Sequence, residues 1–179
     1  MKIFKTLLFS FISLFLLQSC QSDSLQKFFV DSQNNENFMS VDIPASLLGL
    51  TENMDLNEEE MKTLKSVKKI NLLMLESSDE TKDFFSSQKD RLNAILKKDS
   101  FTEILKFRTK GMDVKIFFTG KEDAIDELII FGYNDETGMG VARVLGKEMN
   151  LNDIMTLSNK VDIDTSALPF GDFESLIGI

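Results

Sequence analysis

Chemistry in a polypeptide needs a nucleophile, a proton carrier, metal ligands or a phosphate cradle. This chain of 179 residues holds one cysteine, Cys20, and no histidine. Without imidazole, Ser-His-Asp and Cys-His catalysis and His-ligated zinc are excluded. A phosphate loop spaces its glycines by four residues and follows its lysine with a hydroxyl. "GVARVLGKE" has five residues between Gly140 and Gly146 and Glu148 at the hydroxyl position, and it reads as a strand. "DIDTSALPFGDF" begins like a calcium loop with Asp162 and Asp164. It has Ala167 where the sharp turn needs glycine and Phe173 where the bidentate glutamate belongs. The carboxylates of "NEEE" and "DETKD" have helix-start positions that already explain them. The expectation is no catalytic residue, no metal and no cofactor. The enzymatic alternative is a hydrolase with two carboxylates about 5–9.5 Å apart in a cleft, a geometry that no spacing here demands.

Cys20 has a different use. Lys2 and Lys5 precede the apolar block "LLFSFISLFLL", Leu7 to Leu17, of the length a signal peptide uses. The block is shorter than the roughly 20 apolar residues that cross a bilayer. "LQSC" follows and resembles the lipobox of bacterial lipoproteins, with Gln18 its least typical member. That resemblance implies cleavage before Cys20, a diacylglycerol on its thiol and acylation of the new amine. The layout has a physical reason: one acyl chain holds marginally, two or more hold firmly, at about 0.8 kcal/mol per buried methylene. Residues 1–19 are therefore expected to be a leader and 20–179 a single domain, with the tail from Asp162 to Ile179 lacking a clear period. Gln21 rather than an aspartate follows the cysteine, which in Gram-negative lipoproteins usually permits transfer to the outer membrane. Asp23 alone is a weak version of the short acidic run that some such bacteria use for surface display, so the resemblance implies a body that faces the periplasm. With Cys20 lipidated, the mature chain has no thiol for a disulfide.

The 20 basic residues face 29 acidic ones, and the leader takes Lys2 and Lys5 with it. An acidic body argues against nucleic acid as a partner, since phosphate binding needs clustered Lys and Arg. It fits a body hanging from an anchor.

Periodicity supplies the elements. "SLQKFFVDSQNN" places Leu25, Phe28 and Phe29 at helical spacing, and "NFMSVDIP" reads as a strand ending at Pro44. "ASLLGL" is a helical turn or loop. "NEEEMKTLKSV" carries a capping box, Asn57 with Glu60, and a face of Met61, Leu64 and Val67. "KINLLMLE" is apolar on both sides, as a central strand is. In "DETKDFFSSQKDRLNAILKKDS", Ser78 or Asp79 caps a helix whose face is Phe85, Leu92, Ile95 and Leu96. The period then changes to two. "FTEILKFR" puts Phe101, Glu103, Leu105 and Phe107 on one side, and "MDVKIFF", "IDELIIFGY" and "MGVARVLGK" follow across short turns. "NLNDIMTLSNKV" closes as a helix capped by Asn150. The order α-β-α-β-α-β-β-β-β-α predicts an α+β domain: a largely antiparallel sheet with a C-terminal four-strand meander and helices packed on one face.

These segments carry a second resemblance. "FMSVDIP", "KKINLLMLE" after a helix, "GMDVKIFF", "DELIIFGY" and "VARVLGKEMNLNDIMTL" resemble the Gram-negative envelope proteins of domain-of-unknown-function family 4252, over nearly the whole mature chain. The resemblance implies a secreted, usually lipid-anchored domain and carries over no catalytic residue. The function expected is a non-catalytic envelope protein, held to the membrane through Cys20, that binds a protein or small ligand. An accessory of envelope signalling differs from this only in its partner. Phe117, Phe131 and Tyr133 are the candidate binding residues, because an aromatic strip left uncovered by helices would be a docking surface.

Overall fold

The computed structural model describes residues 23–48 and 56–158; Cys20, the leader and the segment from Asp162 lie outside them. Helix α1 (Leu25–Gln33) starts where the Ser24 hydroxyl accepts the Lys27 N–H, and it buries Leu25, Phe28 and Phe29. Strand β1 (Phe38–Pro44) and the short α2 (Ala45–Leu48) follow. At α3 (Glu58–Ser66) the capping box forms in both directions. The Asn57 side chain accepts the Glu60 N–H and the Glu60 carboxylate accepts the Asn57 N–H, each at 2.9 Å. The bonded Glu60 is thereby drawn inward with Thr63 and Leu64, whereas Met61 points to solvent, contrary to the face expected for this helix.

Strand β2 (Val67–Glu76) leads to α4 (Lys82–Leu96), whose buried residues are Phe85, Leu92, Ile95 and Leu96, as its period requires. Its start departs from the expectation. Ser78 and Thr81 bond each other reciprocally in the preceding turn, so the helix begins at Lys82. Strands β3 (Thr102–Thr109), β4 (Met112–Lys121), β5 (Ala124–Asn134) and β6 (Gly138–Met149) form the meander. Helix α5 (Leu151–Ser158) has Asn150 accepting two of its first N–H groups.

The six strands make one sheet in the order β1-β2-β6-β5-β4-β3, every neighbouring pair antiparallel. α4 carries the chain from β2 to the far edge, and the meander returns until β6 lies against β2. Tight turns make this path possible. Lys110 and Gly111 both have positive φ between β3 and β4. Gly138 opens β6 at φ 131°, where an added Cβ would stand 2.2 Å from the Leu75 carbonyl; no side chain fits there.

One sheet face carries the main core. Leu73, Leu75, Phe117, Ile129, Phe131, Met139 and Val141 meet α1 and α4 there. The other face holds Leu72, Met74 and Ala142. Further along it, Val67, Phe118, Ile125, Leu128 and Met149 receive Leu151 and Ile154 of α5. The helical layer thus covers one face, and α5 adds a smaller cover at one end of the second. β2 is apolar on both sides because both sides are packed.

Candidate functional site

Of the two edge strands, β1 and β3, it is β3 that departs more from its sequence period. Its register against β4 shifts between Glu103 and Leu105. One extra residue at that point exchanges the two sides of the strand. Glu103 opposes Phe117, Lys106 opposes Lys115 and Arg108 opposes Asp113, so these three charged residues share the helix-bearing face. Leu105 opposes Ile116 and Phe107 opposes Val114 on the other face. Glu103 therefore does not share a side with Leu105 and Phe107.

Every residue from Thr102 to Arg108 is exposed, with Leu105 47% and Phe107 38% exposed. β3 pairs with β4, and no described strand lies on its other side. Its outward N–H and C=O groups thus form an open hydrogen-bonding edge, apolar on one face and charged on the other. On the charged face Lys106 and Arg108 share the side with Glu103, and Arg108 stands 4.0 Å from Asp113. Self-pairing that keeps apolar residues together would oppose Lys106 and Arg108 to each other or to themselves, a like-charge arrangement. The chemical fit is an extended segment in which acidic and apolar side chains alternate.

Inward from this edge lies a cluster around Tyr133. The ammonium groups of Lys89 and Lys115 stand 5.6 and 5.5 Å from its ring centroid. Lys89 also pairs with Asp135 at 2.5 Å, and Lys115 donates to Asn93 Oδ1 at 2.6 Å. Burial pushes the Lys115 pKa below the usual lysine range, and the charge of Lys106 adds to the depression. Burial likewise raises that of Tyr133, with Asp113 adding to it. A depressed folded pKa means that the unfolded chain holds the proton more firmly. Stability tied to this amine accordingly rises as pH climbs through the folded pKa towards the unfolded one. In a lysine-labelled NMR titration Lys115 is expected to lose its proton at a pH below the ordinary lysine range. A Lys115 curve within the ordinary range would show that the amine is fully solvated.

A polar row crosses the same sheet face. Asp42, Asn71 and Arg143 are register partners on β1, β2 and β6. Lys69 pairs with Asp42 at 2.7 Å, and Asn71 and Gln33 donate to the same carboxylate. Burial would raise the Asp42 pKa, but these donors hold it below the usual carboxylate range. Arg143 grips Glu127 through Nε at 3.1 Å and Nη2 at 2.6 Å, and donates to Gln26 Oε1 at 2.7 Å. Each of these groups has its partner, so the row locks α1 to the sheet. A depression of about 490 Å³ runs beside α3, lined by Leu56, Asn57, Glu58, Met61, Lys62 and Lys65. It presents the single carboxylate of Glu58. Among the described residues no His, Cys, Asp and Glu group could hold a metal, and no helix is long and apolar enough to cross a membrane.

The aromatic candidates separate. Phe117 and Phe131 are buried under α1 and α4, so the strip they define is roofed and offers no docking surface. Tyr133 packs on Phe131, ring centroids 5.1 Å apart, and alone reaches the surface. Sequence reasoning missed Arg143 and the β3 edge. Their signals were an arginine inside the apolar "VARVL" and the charged–apolar mixture of "EILKFR".

The model of the family described as "Domain of unknown function (DUF4252)" matches residues 29–157, from α1 to α5. No curated protein and no solved structure matches the chain.

Proposed function

The chain belongs to the family of the domain of unknown function DUF4252, and from that premise we propose that it is a lipid-anchored, non-catalytic binding module of the cell envelope. Cys20 carries the anchor, at the outer membrane and facing the periplasm. The partner is an envelope protein that adds an extended segment along β3. One observation carries the binding reading: an edge strand exposed from Thr102 to Arg108, with Ile104, Leu105 and Phe107 open to solvent. The register shift and the charges of this strand guard it against another copy of itself and leave its backbone open to a segment of complementary charge. Lys106 and Arg108 select acidic residues in the added segment and discourage a second copy.

The test is site-specific photo-crosslinking in intact cells. A crosslinker at Ile104 is expected to trap a discrete partner, and one at the slightly more exposed Val30 of α1 is not. Reversing Lys106 and Arg108 to Glu is expected to weaken the trapped complex about tenfold or more, equivalent to about 1.4 kcal/mol. Folding stability should move by less than about 0.5 kcal/mol, since both side chains are exposed. Equal crosslinking at Ile104 and Val30, or a complex indifferent to the charge reversal, removes the edge as the binding site. For the anchor, Cys20→Ala is expected to abolish palmitate labelling and release the protein to the soluble fraction.

A further inference from the structure

Two residues, Gln21 and Ser22, separate Cys20 from Asp23. Three residue steps span at most about 11 Å. Asp23 is clamped to the body. Its carboxylate accepts Arg91 Nε at 2.6 Å and Arg91 Nη2 at 2.7 Å, and its carbonyl accepts the Lys98 ammonium. The Arg91 bonds hold the Asp23 carboxyl below its ordinary pKa. Ser24 then caps α1 directly. A lipid on Cys20 therefore has almost no free linker, and it emerges beside the C-terminal half of α4.

Charge does not separate the two ends of α4. Beside the tether Lys27, Arg91, Lys97 and Lys98 balance Asp23, Asp31, Asp90 and Asp99. At the other end the residues around the start of α4 meet the β5–β6 turn: Ser77 donates to the Asp135 carbonyl, and Lys89 pairs with Asp135. Glu76, Asp79, Glu80, Asp83, Asp135 and Glu136 gather there against Lys82, Lys89 and Lys110 of the neighbouring β3–β4 turn. At the tethered end the starts of β3 and β5 and the β4–β5 turn add Glu103, Glu122, Asp123 and Asp126 against Lys121, so both ends of the domain are net acidic. Lys98 lies nine positions beyond Lys89, about 13 Å along a helix axis.

We propose that the short tether fixes the domain on the bilayer, with the C-terminal end of α4 facing the lipid headgroups and the β5–β6 turn pointing away. β3 starts just after the tethered end, at Thr102. Its turn at Gly111 accepts a bond from Asn134 beside the β5–β6 turn, so the strand runs from the bilayer outwards with its edge accessible along its length. This orientation rests on the lipidation of Cys20.

The test uses the full lipidated chain in vesicles of phosphatidylethanolamine and phosphatidylglycerol. Single cysteines at the exposed positions Ala94, on α4, and Glu136, in the distal turn, carry a fluorophore, and quencher-bearing headgroups report depth. Quenching is expected to be several-fold stronger at position 94 than at 136. A ten-residue Gly-Ser insertion between Ser22 and Asp23 is expected to reduce that difference to near parity while the protein still floats with the vesicles. Equal quenching at both sites in the uninserted, vesicle-bound chain overturns the orientation and leaves the anchor standing. An asymmetry that survives the insertion overturns the tether as its cause. A chain with the mass of an unmodified Cys20 that fails to float overturns the anchor itself and the orientation with it.

Discussion

Phe131→Ala is expected to cost about 3–5 kcal/mol of folding stability, the range for emptying a phenylalanine site in a packed core. The ring is 0% exposed and sits in the cluster that joins α1 and α4 to the sheet. Its strand neighbours Lys115 and Val141 are held by backbone pairing on both sides, so the cavity cannot close by collapse of the sheet. Tyr133, two residues on, is half-exposed and packs on the edge of the same cluster. Tyr133→Ala should cost less than half as much. Urea unfolding of both variants in the unlipidated Cys20→Ala chain measures the contrast. An unfolding free energy for Phe131→Ala within about 1 kcal/mol of the parent would place that ring at a surface and reopen the aromatic strip as a binding site.

Glu127→Ala is expected to be nearly as damaging, for an electrostatic reason. The Arg143 side chain is 6% exposed and holds Glu127 with two of its nitrogens, beneath the Phe29 ring at 5.5 Å. Removing the carboxylate strands a guanidinium with Gln26 as its remaining side-chain partner. Breaking a buried pair in this way costs about 3–5 kcal/mol. The reverse change, Arg143→Met, is milder, because Glu127 is 22% exposed and can be rehydrated. The double variant Glu127→Leu with Arg143→Met should recover most of the loss, since replacing both charges with apolar groups of similar size is often neutral. Thermal and urea unfolding across this cycle give the coupling between the two residues. A double variant as unstable as Glu127→Ala alone would show that the pair is needed to fix β5 against β6, beyond the relief of a stranded charge.

Both changes act on residues that local pattern could not rank. The period of "DFFSSQKDRLNAIL" placed Phe85, Leu92, Ile95 and Leu96 on one helix face, and they are the residues buried there. Asn57 and Glu60 announced their own capping box. The "KG" turn and the alternations around it announced the meander. Each of these depends on residues a few positions apart, whose spacing on a helix or strand is set by backbone geometry alone. The α+β class and the antiparallel sheet follow from adding such pieces together.

The side of the sheet that receives the helices was not legible in that way. Phe117 and Phe131 alternate correctly for either face, and their burial follows from α1 and α4, which lie far away in sequence. The register shift between Glu103 and Leu105 depends on how β3 meets β4. Arg143 finds Gln26 across 117 positions. The pairing of β2 with β6 spans the whole meander. The amino-acid order settles what neighbouring backbone atoms can do, because their separations are fixed by covalent geometry. Which face is roofed, which edge is left open and which charges are enclosed depend on distant segments meeting. Their energies are decided by the water each contact excludes, and that exists only once the chain has closed on itself.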